Sequence, residues 1–155
     1  MSRIQDLLDE YGSSHQNDKN KMIHWICVPL IMFSLLGMVY FVPFPLEGSA
    51  FFNWIVVILI AAWVYYLRLS FPMFLGFMII GLLMFWGQHK LAHILRFEYY
   101  MIAMVSIFIF AWIGQFIGHN IEGKKPSFIE DIQFLLIGPA WLLHFIYNRF
   151  GIRYD

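Results

Sequence analysis

The stretch Ala111–Pro126 reads A-W-I-G-Q-F-I-G-H-N-I-E-G-K-K-P, and it marks where a long apolar run ends and several polar residues arrive together. On a helix, Trp112, Gln115, His119 and Glu122 stand at i, i+3, i+7 and i+10 and share one face. Gly114 and Gly118, four residues apart, let a second helix approach closely. Gly123 offers a helix stop, followed by Lys124, Lys125 and Pro126. A histidine and a carboxylate on one face, at the end of an apolar run, make a candidate metal half-site. The rest of the chain is read by what it brings to this place.

Composition decides the class. Of 155 residues, 61% are hydrophobic and 13% charged, whereas soluble domains carry about a quarter charged residues. The expectation is one all-α membrane domain over 1–155, a bundle of helices crossing the bilayer. Zero net charge offers no basic surface for nucleic acid. Cys27 is the one cysteine, so neither an intrachain disulfide nor a Cys-rich metal site can form; at the start of an apolar span it reads as inert packing. The polar, acidic beginning S-R-I-Q-D-L-L-D-E-Y does not look like a cleavable signal, and the first span is expected to serve as the insertion signal.

In chain order, Ile4, Leu7, Leu8 and Tyr11 are spaced i, i+3, i+4, i+7 and predict an amphipathic helix over 2–12 lying on the membrane surface. Gly12, Ser13 and Ser14 break it. Four spans follow, at about 23–44, 51–67, 71–87 and 99–118. Pro43, Phe44 and Pro45 close the first, and a short loop with Glu47 leads to the second. Pro72 sits at the start of the third, where it is tolerated. A polar loop is expected from Gln88 to Glu98. The last apolar stretch, 132–147, is short for a crossing that needs about 20 residues and is interrupted by Gly138-Pro139. It is either a short, kinked fifth span or a re-entrant hairpin. With the N-terminus inside, Arg3, Lys19, Lys21, Arg68, Lys124 and Lys125 fall on the cytoplasmic side, and a re-entrant segment adds Arg149 and Arg153. An even number of spans lies between His24 and His119, which places both on one membrane face.

The six histidines divide accordingly. His15 and His24 are about 2.5 helical turns apart, so one straight helix cannot aim them at one point. A bend between them, or a turn at His15 folding over the start of the span, is required. Asn20 and His24, at i, i+4, do share a face. With His119 they give three histidines on one side, each beside an amide or carboxylate, and polar residues at a membrane boundary tend to be functional. His89 and His93 form H-x-x-x-H, a spacing that suits a metal, but they fall on the opposite side with no acidic partner and read as a solvated loop. His144, in W-L-L-H-F-I-Y, is costly in lipid and is expected to face protein or a site.

Together, Y-G-S-S-H-Q-N-D-K-N-K-M-I-H-W-I-C-V-P and W-I-G-Q-F-I-G-H-N-I-E-G-K-K-P resemble the 2-hydroxy fatty acid dioxygenase (Mpo-type) family of small membrane proteins. The matching positions are Tyr11, His15, Asn20 and His24, then Gln115, Gly118, His119, Glu122, Lys124 and Pro126, with Gly138-Pro139 in the last segment. Ser127 replaces a usual Ala, His144 stands where a Glu is expected, and His89 and His93 match no family motif. The resemblance implies iron(II)-dependent shortening of a 2-hydroxy fatty acid by one carbon with O2. It implies His15, His24, His119 and Glu122 as catalytic residues, with His15, His24 and His119 as metal ligands; His144, brought back by a re-entrant turn, is expected either as a further metal ligand or as a supporting residue near His119. Asn20 and Gln115 would orient ligands, and Lys124 or Lys125 would attract the carboxylate. Imidazole-rich coordination also suits zinc or another divalent ion. A bacterial inner membrane or endoplasmic reticulum location is expected, with the site on the cytoplasmic side. Two other readings stay open: a non-catalytic membrane scaffold, and a haem or quinone electron carrier, which needs histidines facing each other inside the bilayer.

Overall fold

The computed structural model describes residues 3–46, 49, 51, 53–125 and 133–154. Glu47, Pro126, Ser127 and Ile132, which enter the readings above, lie outside the described residues. Among these residues the regular elements are all helices: α1 (Arg3–Ser13), α2 (Asp18–Tyr40), α3 (Trp54–Leu69), α4 (Phe71–Ile94), α5 (Phe97–Glu122) and α6 (Phe134–Phe150). α2, α4 and α5 are long and apolar enough to cross a membrane. α3 has 16 residues, about 24 Å at 1.5 Å per residue, and is shorter than the roughly 30 Å hydrocarbon layer. Large apolar side chains such as Leu83, Phe110 and Ile102 point outward, as they do where lipid is the solvent.

Local chemistry sets the helix limits. Asn17 caps α2, its side chain accepting from Lys19 N at 2.9 Å, and Asp18 favours the positive end of the helix. The helix therefore starts before the apolar run and ends at Tyr40. Ser70 closes α3 and opens α4, its hydroxyl accepting from Met73 N at 3.3 Å. α5 ends at Gly123, held at φ 73°, a left-handed conformation that costs glycine least.

α2 and α5 form the most extensive interface, α3 packs on α4, and α1 packs on α6. The α2–α5 approach is close because Gly114 and Gly118 carry no side chain. A Cβ at Gly114 would stand 2.6 Å from Cys27 Sγ, and one at Gly118 would run into Asn20 Oδ1. The free Cys27 is buried in this seam.

Three expectations change. First, the apolar face of α1 is not turned to lipid: Ile4, Leu8 and Tyr11 are buried in one core with Ile137, Trp141 and Tyr147 of α6. Second, Gln88–Ile94 is helix rather than loop. Gln88 is fully buried, accepts from Tyr100 Oη at 2.6 Å and donates to the Phe33 carbonyl at 2.6 Å, so its polarity is satisfied within the bundle. Third, α6 runs unbroken through Gly138-Pro139, so it is a short helix and not a hairpin. Pro139 lies in the second turn, where it removes one helix bond, and Tyr66 Oη donates to the nearby Leu136 carbonyl at 2.7 Å. Tyr147 Oη donates to the Pro72 carbonyl at 2.6 Å, tying the other end of α6 to the start of α4.

Candidate metal centre

Three histidines meet where the beginning of α2 passes the end of α5. His24 is on α2, His119 on α5, and His15 on the link between α1 and α2. One ring nitrogen from each lies within 4.8 Å of the others, and all three residues are buried. His15 reaches this point because α1 ends at Ser13 and the chain turns before Asn17 starts α2. The turn that the nine-residue separation requires is thus supplied by a loop.

The proton positions follow from backbone carbonyls, which only accept. His15 Nδ1 lies 2.7 Å from the Tyr11 carbonyl, and His24 Nδ1 lies 2.9 Å from the Asn20 carbonyl. Each neutral ring therefore carries its proton on Nδ1 and leaves Nε2 bare. Those two Nε2 atoms face each other at 2.9 Å. Two lone pairs this close repel unless a cation or a shared proton lies between them. Burial first, and the neighbouring His24 second, pull the His15 imidazole down to about 3 from its ordinary 6.5, which disfavours the shared proton at neutral pH. His119 adds a buried Nδ1 with no hydrogen-bond partner among the described residues. With the two Nε2 atoms it makes a group of three buried nitrogens close enough together to hold one metal ion. Two nitrogens cis on a metal at bonds of about 2.1 Å stand about 3 Å apart, close to the observed spacing. Ligands on opposite faces of a haem would stand about 4 Å apart, so His15 and His24 are not a haem pair.

Supporting contacts fix the rings. Tyr11 stacks on His15 with centroids 4.1 Å apart and planes 15° from parallel, and Trp141 lies 5.2 Å from His15. Gln115 is buried with its side chain beside His24. Asn20, fully buried, offers its carbonyl to His24 and its amide nitrogen to Glu122 Oε2 at 3.1 Å.

Glu122 holds the loop. Its Oε1 accepts from Gln16 N at 2.8 Å and its Oε2 from Asn17 N at 2.8 Å, so the carboxylate clamps the residues after His15 onto the end of α5. Lys124 Nζ donates to the Ser13 carbonyl at 2.7 Å, at the end of α1, and Lys125 is exposed. His144 is outside the three-histidine group. Its Nδ1 bonds the Trp141 carbonyl on its own helix, and it shares with His15, Lys21 and Gln16 the wall of a polar cleft of about 360 Å³. His89 and His93 lie at the other end of the bundle, where His89 Nδ1 meets Tyr40 Oη at 2.9 Å, and their rings are 4.2 Å apart. Sequence reasoning assigns Trp141 no role and Lys21 only a place on the cytoplasmic side. The i, i+3 relation of Trp141 to His144 was visible, but not which way α6 turns.

A narrow apolar cavity of about 50 Å³ lies on the other side, lined by Tyr11, Gln115 and His119 among others. The centre thus separates a polar cleft from an apolar cavity.

Over 142 residues the chain is 26% identical to the 2-hydroxy-palmitic acid dioxygenase MPO1 of Saccharomyces cerevisiae, covering 90% of this chain and 77% of that protein. No solved structure matches. The family model described as 2-hydroxy-palmitic acid dioxygenase Mpo1-like matches residues 1–150, and the chain belongs to this Mpo1-like family.

Proposed function

We propose that this protein is a membrane-embedded, metal-dependent dioxygenase that shortens a 2-hydroxy fatty acid by one carbon, with His15, His24 and His119 holding the metal. The observation that carries this reading is the pair of bare Nε2 atoms facing each other at 2.9 Å, both fixed by backbone carbonyls in the tautomer that ligates. Iron(II) is the ion assigned: when bound it supplies the one-electron chemistry that lets dioxygen react with a closed-shell acid, whereas zinc fits the same nitrogens but has no redox chemistry. The overall reaction balances without an outside reductant. The 2-hydroxy acid and O2 give the acid one carbon shorter, carbon dioxide and water, and the four electrons taken by O2 come from the two carbons of the cleaved bond.

The chain's own residues bind and orient the amphiphile. The carboxylate end faces the polar cleft, where Lys21, 3.4 Å from Asp18, is the cation on a wall that also carries Asp9; Lys124 donates to the Ser13 carbonyl. The tail enters the apolar side past Gln115 and His119. Tyr11 and Trp141 cover His15 and exclude water from its ring. Gln115 and Asn20 keep His24 aimed, and Glu122 keeps the His15 loop in place. We assign the centre to the cytoplasmic face, because Lys19, Lys21, Lys124 and Lys125 flank it.

Metal analysis of the purified protein tests the reading. Wild type reconstituted with iron(II) is expected to hold one ion per chain, and His15→Ala, His24→Ala and His119→Ala to hold none. Absence of stoichiometric metal from the reconstituted wild type would leave the scaffold reading in its place.

A further inference from the structure

A second apolar cavity, of about 590 Å³, lies between α2, α3, α4, α5 and α6. It falls within the range of about 300–1,000 Å³ common for ligand sites. The narrow cavity beside His119 and this one share Ile31, Met32, Trp112, Leu135 and Pro139. The two therefore adjoin, the narrow one as a neck beside His119 and the wide one as a chamber behind it.

The chamber runs away from the centre along two helices. On α2, Ile31 and Met32 line both parts, while Leu35 and Leu36 line only the chamber. On α5, Gln115 lines only the neck, Trp112 both parts, and Phe108 only the chamber. α2 leaves the centre from its first turns and α5 arrives there with its last, so both walls lead the same way. From His24 to Leu36 is about 18 Å of helix, and from His119 to Phe108 about 16 Å. An extended chain advances about 1.2 Å per bond, so these walls accommodate about 14 to 15 bonds. At the far end Leu36 is buried with Leu59, and Met84 packs against them.

We propose that this chamber is the acyl-chain site and that Leu36, backed by Leu59 and Met84, is its floor and sets the preferred chain length near 16 carbons. The inference rests on the reading of the centre as one that takes 2-hydroxy fatty acids. The occupant is the tail of that acid, because the neck that adjoins the chamber is lined by His119 of the centre. The yeast relative is named for a 16-carbon acid, which agrees with the wall length.

The test measures binding, so it does not depend on turnover. Metal-free protein in nanodiscs is titrated with bromine-bearing 2-hydroxy fatty acids, which quench Trp63 and Trp112 in the chamber wall, and saturated 2-hydroxy acids of 10 to 20 carbons compete. Each methylene that fits is expected to tighten binding about fourfold up to the floor, with no gain beyond it. Leu36→Trp is expected to move the optimum to shorter acids and to weaken the 16-carbon acid at least about tenfold. Leu36→Ala is expected to move it to longer acids. Opposite shifts cannot come from a folding defect common to both variants. The same optimum in all three proteins overturns the proposal, as does equal quenching by bromine-bearing phospholipid that 2-hydroxy acids fail to displace, which marks a seat for bilayer lipid. Turnover by wild type with no length preference overturns the floor alone. A preference that follows residue 36 without any turnover supports the floor and removes the reaction.

Discussion

Replacing Glu122 separates a clamp from a ligand. In the structure its two oxygens accept from Gln16 N and Asn17 N at 2.8 Å each and from Asn20 Nδ2 at 3.1 Å. A hydrogen bond to a charged group is worth about 1.5–3 kcal/mol, but Gln16 and Asn17 are exposed, and water replaces much of what they lose. The three together are therefore discounted to about 2–3 kcal/mol. In Glu122→Ala the loop that carries His15 is released, and metal binding must order it again. At about 1.4 kcal/mol per factor of ten, affinity is expected to fall about 30- to 150-fold. Glu122→Gln keeps one acceptor and should fall less. The assay is a titration with iron(II) or cobalt(II), paired with hydrogen exchange at the Gln16 and Asn17 amides, which should lose protection in the alanine variant. Wild-type affinity with both amides still protected refutes the clamp. Complete loss of metal in Glu122→Gln makes Glu122 a direct ligand instead.

Other outcomes follow from the same contacts. His144→Leu is expected to retain the metal that His119→Ala loses, and His89→Ala and His93→Ala to leave metal content unchanged; loss of metal in His144→Leu would place that ring at the centre. Gly118→Ala is expected to lower stability by about 1–3 kcal/mol, read as a lower thermal midpoint, because the added methyl meets Asn20 in the α2–α5 seam; an unchanged midpoint refutes the tight seam. Metal-free protein is expected to lose stability as pH falls from about 6.5 toward 3. The unfolded chain binds the His15 proton in that window while the folded chain, with its ring against His24 and His119, does not. A flat profile of thermal midpoint from pH 7 to 5 contradicts this.

Much of the centre was legible because helical spacing is a strong signal. The i, i+3, i+7 relation aligned Gln115 with His119, and the two glycines announced a close helix partner, which the structure identifies as α2. Counting spans put His24 and His119 at one end of the bundle, and the structure joins them with His15. What was not legible depended on rotation and on long-range contacts. Nothing local says that Glu122 would meet backbone amides of residues 16 and 17, so it read as chemistry rather than as support. Gly138-Pro139 read as a break because proline usually ends a helix, but an early turn of a buried helix tolerates it. The orientation of α6 then left His144 on the polar cleft. Gln88 looked solvated because its partners, Tyr100 and the Phe33 carbonyl, lie on other helices.

The clamp also has a consequence for synthesis. The carboxylate and the loop it holds are 106 residues apart in the chain. At about 5–20 residues per second, a ribosome needs about 5–20 s to make Glu122 after the loop has emerged. Through that interval His15 and His24 exist without the partner that fixes them and without His119. On the proposed reading of the centre, a nascent chain therefore offers only two of the three histidines, without the clamp. Completion of the site is thus timed by chain elongation: the three histidines come together only when the end of α5 has docked on the beginning of α2.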